Sequence, residues 1–266
     1  MTYLFSGPLV IISFIGYLQA KGTAGKVPKE LYWFLICRCL AGLASDLALF
    51  TAFHYIEYSK AFVVGKLETV IAPIISCFTL DEKLKYSDVF TLILVICGVI
   101  LILQPSKRFD DINKFNSETT GIIWALVASF CGAWMFFFCR KLGNQVHHSV
   151  GLLYYFTLSS LLTPVLALVQ AKSFSGLIPE MRIELANYIG GIVLVFYLHM
   201  EMMDASLKHN TVGLMTVLFF LSIPFCYLLE WLTIQRPISE NEQLGVGLIF
   251  ISNVGMATLR LFKFIN

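Results

Sequence analysis

The chain has 266 residues, of which 58% are hydrophobic and 14% are charged, and its formal net charge is +2. Its mean hydropathy is +0.77. Since soluble domains carry about 25% charged residues, this composition excludes a soluble single-core protein and indicates a polytopic membrane protein. The small net charge and the lack of a basic run give no indication of a nucleic-acid partner.

Apolar runs that approach the roughly 20 residues needed to cross a bilayer recur along the whole chain. The sequence therefore predicts an all-α integral membrane protein with nine transmembrane helices. The distribution of Lys and Arg between the loops leans modestly toward a cytosolic C-terminus. The nine candidate spans are Tyr3–Ala20, Tyr32–Phe53, Ala61–Leu80, Val89–Leu103, Gly121–Cys139, Val150–Gln170, Tyr188–Leu207, Val212–Ile234 and Gln243–Phe262.

Two of these spans contain a proline in a similar setting, Pro73 in the third and Pro224 in the eighth. A polar loop and a glycine-bearing apolar run follow each of them. Proline would break a soluble helix, but neighbouring helices in a membrane bundle can satisfy the freed carbonyl. Because paired interrupted spans point to the central site of a transporter, both prolines are predicted hinges.

The longest polar stretch between spans, Ser106–Thr120, separates four spans from five. It divides the chain into a first repeat over 1–105, a connecting loop over 106–120 and a second repeat over 121–266. The two prolines lie five spans apart, and an odd offset reverses the direction of the chain through the membrane. We therefore expect an inverted 5+5 repeat that lacks its first helix. Either the chain is truncated at its start or it is a nine-span variant.

The stretch Leu40–Pro105 resembles the EamA-type drug/metabolite transporter superfamily, and within it the eukaryotic solute-carrier branch that includes nucleotide-sugar transporters. The resemblance implies ten helices in two inverted five-helix repeats. It is weaker in the second half, where Arg236-Pro237-Ile238 replaces Glu-Arg-Leu. The motifs that carry it, in order, are Ala52…Tyr55, Pro73, Glu82-Lys83-Leu84 and Gly98-Val99-Ile100-Leu101-Ile102…Pro105.

Ionisable residues inside apolar spans are costly and are candidates for a substrate site. Arg38 is either a cavity cation for an anionic substrate or an arginine that reaches back to the interface. Asp46 is either its structural partner or a ligand. Lys66 is the first choice for binding an anionic substrate group, with a lysine extending to the outer surface as the alternative, and Glu68 is a candidate proton or cation site. Residues two apart on a helix point to different faces, so Lys66 and Glu68 are not expected to pair directly.

The seventh span adds a second group of polar residues near its cytosolic end, His199, Glu201 and Asp204. A histidine beside acids could relay protons, and the alternative is a polar helix end at the interface. Tyr197 and Tyr227 are candidates for stacking on a solute or hydrogen bonding to it, although aromatic residues are more often interfacial belts. His199-x-Glu201 matches no metal-ligand pattern, so no metal or cofactor is expected.

Together these features predict a secondary transporter that moves a small organic metabolite by alternating access, as an exchanger or coupled to protons. The sequence contains no G-x-x-x-x-G-K-[ST] loop and no HExxH or GxGD motif, which argues against primary energy input and against an enzyme. The alternative is a non-transporting scaffold or regulator derived from a transporter fold. The expected partners are a small organic solute and membrane lipid. A homodimer and the choice between plasma membrane and endomembrane stay open.

Overall fold

The computed structural model describes residues 2–19, 27–79, 86–103, 112–170, 183–209, 219–220, 222–235 and 238–261. These residues form helices and short turns, with no β-strand among them, so the all-α prediction is confirmed for this part of the chain. In chain order the α-helices are α1 (Thr2–Gln19), α2 (Tyr32–Ala52), α3 (Tyr58–Gly65), α4 (Glu68–Thr79), α5 (Tyr86–Leu103), α6 (Ile112–Leu142), α7 (His148–Gln170), α8 (Ile183–His209), α9 (Ser222–Ile234) and α10 (Glu240–Leu261).

Three described segments are long and apolar enough to cross a bilayer: Lys29–Ala52, Tyr58–Thr79 and Ser117–Leu142. Shorter apolar helical segments overlap the fourth, sixth and seventh predicted spans. The count of nine crossings, the orientation and the inverted repeat stay predictions. The shorter segments are Val89–Leu103, Ser149–Leu162 and Gly190–Met203.

The polar stretch that was predicted as a connecting loop is in part helical. Helix α6 begins at Ile112, inside Ser106–Thr120. Polarity marks where a helix leaves the apolar part of the bilayer, but the backbone hydrogen bonds can continue beyond that point. The charged loop at 81–85 lies outside the described residues.

The chain divides into two compact units, and each contains residues from both predicted repeats. The first unit consists of Met1–Leu43 and Phe138–His209. The second consists of Ala44–Phe137 and Asn210–Asn266. Helices α2 and α6 therefore contribute residues to both units.

In the first unit, α1 packs against α7 and α8. Phe156 of α7 is 1% exposed, and its ring centroid lies 6.2 Å from that of Phe196 and 6.4 Å from that of Tyr197 on α8. These rings join α7 to α8. A separate buried cluster in this unit consists of Val27, Leu35, Leu142, Val146 and Val150.

In the second unit, one large apolar cluster joins α3, α4, α5, α9 and α10. The two proline-bearing helices both contribute to it, α4 through Val70 and α9 through Ile223 and Tyr227. Between elements of a soluble protein, burial of apolar side chains away from water is the main favourable contribution to packing. In a bilayer, where lipid is equally apolar, close van der Waals fit takes over that role.

Helices α5 and α10 approach each other closely because two glycines face one another. A Cβ added to Gly98 would lie 2.9 Å from the carbonyl oxygen of Gly245, and one added to Gly245 would lie 2.6 Å from that of Gly98. Neither position has room for a larger residue while the backbones keep this separation. Small residues serve the same purpose at contacts between membrane helices in general.

Candidate functional site

The third predicted span is two helices with a break between them. Helix α3 ends at Gly65 and α4 begins at Glu68, with Lys66 and Leu67 in turns. The Leu67 amide donates to the carbonyl of Val64 at 3.0 Å, three residues back, instead of the carbonyl four residues back. The break thus precedes Pro73, which lies buried inside α4. A role of Pro73 as a hinge stays a prediction.

Lys66 and Glu68 form an ion pair across this break. The Lys66 Nζ lies 3.2 Å from the Glu68 Oε1, and each side chain is only 14% exposed. The expectation that the two residues do not pair is therefore wrong. It assumed about 100° of rotation per residue, and this rotation is interrupted at the turns of Lys66 and Leu67.

Two aromatic rings cover other sides of the Lys66 amine. The Nζ lies 5.2 Å from the ring centroid of Phe62 and 5.6 Å from that of Phe219. Phe219 in turn stacks on Phe136 of α6, with centroids 5.7 Å apart and planes within 9°. An ammonium over an aromatic face is stabilised by the ring quadrupole, so the positive charge is held by one carboxylate and two rings.

The carboxylate of Glu68 lies in a notch on α6 that exists because residue 132 is glycine. A Cβ added to Gly132 would overlap the Glu68 Oε2 and would lie 3.1 Å from the Ser45 Oγ of α2. The Ser45 hydroxyl donates to the carbonyl of Ala128 at 2.8 Å. Small residues on α6 thus let α2 and the broken helix come close enough to enclose the ion pair.

A further contact of α6 supports the break. The Ser129 Oγ lies 2.5 Å from the carbonyl oxygen of Val64 and 2.9 Å from that of Ala125. The Thr69 Oγ1 donates to the carbonyl of Lys66 at 2.7 Å. Backbone groups inside a membrane must be satisfied internally, and these hydroxyls act as donors to backbone carbonyls where the helix is interrupted.

Arg38 is a buried cation in the first unit. It is 3% exposed, and its Nη1 donates to the carbonyl oxygen of Gly151 on α7 at 3.1 Å. A Cβ added to Gly151 would lie 3.3 Å from that nitrogen, so α7 is close to the guanidinium here. The arginine is enclosed by protein at this point and does not extend to an exposed surface.

The remaining predicted residues fall in several environments. Asp46 is half-buried on α2. Tyr197 is buried and hydrogen-bonds Glu201, one turn further along α8, while His199 between them is exposed. The side chain of Asp204 lies outside the described part.

The prolines and the second tyrosine belong to the second unit. Tyr227 is 2% exposed within the apolar cluster, and Pro224 is the third residue of α9. The structure thus brings together Lys66 and Glu68 from the predicted set. Arg38, Tyr197 and Glu201 belong to the first unit, and substrate binding by all these residues stays a prediction.

Sequence reasoning missed the groups that complete the Lys66 environment. Nothing in the sequence around Gly132 indicates that a carboxylate occupies the space this glycine leaves. Phe136 and Phe219 are ordinary apolar residues in sequence. Only the break in the backbone and the fold of the unit bring their rings toward the amine of Lys66.

A cavity of about 420 Å³ lies near the start of α3. Lys60 at its wall pairs with Glu57 at 3.1 Å and with Glu242 of α10 at 3.8 Å. At 1.5 Å of rise per residue, Lys60 precedes Lys66 by about 9 Å along the helix. The lining residues are Phe53, His54, Tyr55, Ile56, Glu57, Tyr58, Lys60, Leu103, Ser117, Glu118 and Ile122.

Comparison with known proteins supports a transporter in general. Residues 1–104 match the EamA-like transporter family. An uncharacterized transporter of Clostridium kluyveri is 22% identical over 233 residues, which cover 85% of this chain and 72% of that protein. One solved crystal structure superposes with a TM-score of 0.72 at 16% identity, over 100% of this chain and 87% of that chain. At this identity the likeness shows the fold alone, and the nucleotide-sugar-transporter branch stays a prediction.

Proposed function

We propose that the protein is a secondary transporter that carries a small organic anion across a membrane by alternating access, as an exchanger or coupled to protons. The observation that carries this proposal is the Lys66–Glu68 ion pair, enclosed at a break in an apolar helix. Broken helices and buried ionisable groups are the usual components of a transport site in the membrane. The match of residues 1–104 to a transporter family supports the same function.

Lys66 is the proposed contact for the anionic group of the substrate. Its ammonium has three donors, and the rings of Phe62 and Phe219 offer flat apolar surfaces beside it. An organic anion could therefore place its charge on the amine and its carbon skeleton against the rings. Arg38, Asp46, Tyr197, His199, Glu201 and Tyr227 stay predicted contributors to substrate binding.

Uptake into proteoliposomes tests this function. Purified protein would be reconstituted and offered four radiolabelled anions, gluconate, p-aminohippurate, succinate and glucose 6-phosphate, with choline and glucose as non-anionic probes. We expect saturable uptake of at least one anion above protein-free liposomes. Lys66→Met should abolish it, because Met keeps the volume of the side chain and removes its charge.

The matched control is Lys141→Met. Lys141 also lies over an aromatic ring, at 5.9 Å from the Phe34 centroid, but it is exposed. This variant should transport like the wild type. If no probe enters the proteoliposomes and none raises the melting temperature of the protein, the scaffold alternative is favoured. Full activity of Lys66→Met would show that the proposed site is wrong even if transport is real.

A further inference from the structure

Building on the proposed transport function, we infer that Glu68 competes with the transported anion for Lys66, so that one monovalent organic anion crosses the membrane together with one proton. The structure already provides Lys66 with a counter-charge from the protein itself. The Glu68 Oε1 lies 3.2 Å from the Nζ, and both side chains are 14% exposed.

The surroundings of Lys66 leave an incoming anion little choice of position. The ring centroids of Phe62 and Phe219 lie 5.2 Å and 5.6 Å from the amine. Aromatic faces carry negative partial charge and repel an anion. The favourable position for a substrate carboxylate is therefore the one that Glu68 occupies, and binding requires that Glu68 give up its contact.

Once the Glu68 side chain leaves Lys66, its surroundings can hold the carboxyl group in its neutral, protonated form. Its Oε2 lies in the notch at Gly132, and the Ser45 hydroxyl lies on the same side of that glycine. The Ser45 hydroxyl donates its hydrogen to the carbonyl of Ala128, so the lone pairs of the Ser45 Oγ can accept a hydrogen bond. A protonated Glu68 carboxyl could donate to this oxygen, whereas an ionised carboxylate there would have lost its counter-charge, which is costly away from water.

The charges balance over one transport step. The Lys66–Glu68 pair is neutral in sum. An entering anion takes the contact with Lys66, and a proton from the same aqueous side neutralises the released carboxylate, so the loaded site is also neutral. On the other side the anion leaves, the proton leaves Glu68, and the internal pair forms again. Each cycle moves one negative and one positive charge in the same direction.

Among the residues that the structure describes, few other ionisable groups face Glu68. Lys66 is the charged group that the described residues place within 4 Å of its carboxylate. On α6, no Asp, Glu, Lys, Arg or His lies between Glu118 and Arg140. The residue before Gly132 is Cys131, and one residue corresponds to about 100° of rotation around the helix, so its thiol lies on a different face from the notch. On α2, Asp46 is half-buried and directly follows Ser45. Glu68 is therefore the group in this notch that is placed to carry the proton.

The decisive variant is Glu68→Gln, which keeps the shape of the side chain but cannot exchange a proton. Lys66 then stays charged whenever no anion is bound, so the empty protein should not return across the membrane. With p-aminohippurate as probe, we expect net uptake to fall at least tenfold. Counterflow of labelled against unlabelled p-aminohippurate should stay within about threefold of wild type, since the loaded site remains neutral. Glu57→Gln, which removes a 45% exposed carboxylate from Lys60, is the control and should keep both activities.

Measurements on the wild type keep the test decisive if Glu68→Gln does not fold. Uptake should be driven by an alkaline lumen, should acidify that lumen by one proton per anion, and should not respond to a potassium–valinomycin potential. Uptake that responds to the potential, or uptake of only the divalent probes, would overturn the inference while leaving transport intact. The inference would also be overturned if a folded Glu68→Gln protein kept its net uptake unchanged, or if it lost counterflow as well as net uptake. Absence of uptake of every anion would instead overturn the proposed function itself.

Discussion

Arg38 and Lys66 are two cations that the described part of the chain largely encloses, and they are held in different ways. Arg38 in the first unit donates to a backbone carbonyl, that of Gly151. Lys66 in the second unit is held by the carboxylate of Glu68 and by two aromatic rings. A backbone carbonyl cannot leave, whereas a carboxylate can move aside and take up a proton. The comparison indicates that Lys66 is the cation suited to exchange its partner and that the contact of Arg38 is suited to hold α2 against α7.

The largest expected effect comes from breaking the pair at Lys66. Lys66→Met leaves the Glu68 carboxylate without its counter-charge at 14% exposure, and loss of one partner of a buried pair costs about 3–5 kcal/mol in free energy of unfolding. The double variant Lys66→Met/Glu68→Gln removes both charges and should recover most of that loss. Equilibrium unfolding in mixed micelles measures both values. Equal stability of the single and double variants would contradict the view that the pair is enclosed.

A smaller effect is expected at Arg38. Arg38→Met removes a charge-assisted hydrogen bond to Gly151 at 3.1 Å, a contact worth about 1.5–3 kcal/mol. The acceptor of this bond is a backbone carbonyl, which a side-chain substitution does not remove. The same unfolding measurement applies, with the exposed Lys141→Met as control. A loss as large as that of Lys66→Met would remove the distinction between the two cations.

The smallest effect is expected from the notch on α6. Gly132→Ala places a Cβ against the Glu68 Oε2, and overpacking of this kind costs about 1–3 kcal/mol. Gly247→Ala on α10 is the control, since a Cβ there meets no atom of the described residues within 4 Å. It should be neutral or stabilise by up to about 1 kcal/mol through helix propensity. Similar melting temperatures for the two variants would show that Glu68 is not confined by Gly132.

Much of the second unit followed from local signals. The apolar runs predicted helices near the observed positions, and the structure shows where α5 and α10 come closest, at the facing glycines Gly98 and Gly245. The same reasoning gave a wrong result for Lys66 and Glu68, because it assumed one continuous helix. The beginning of α6 at Ile112 was missed for a related reason, since polar composition does not end a hydrogen-bonded helix.

The sequence by itself determined that this chain lies in a membrane, that it is helical, and which ionisable residues its apolar segments contain. Hydropathy and helical period are local properties, and a single stretch of chain is enough to express them. The tertiary structure alone decided that the third span breaks at Lys66 and Leu67 and that Glu68 turns toward Lys66. A break in a helix inside the membrane is tolerated only where other helices supply hydrogen bonds and space. Ser129 and Gly132 of α6 do so here.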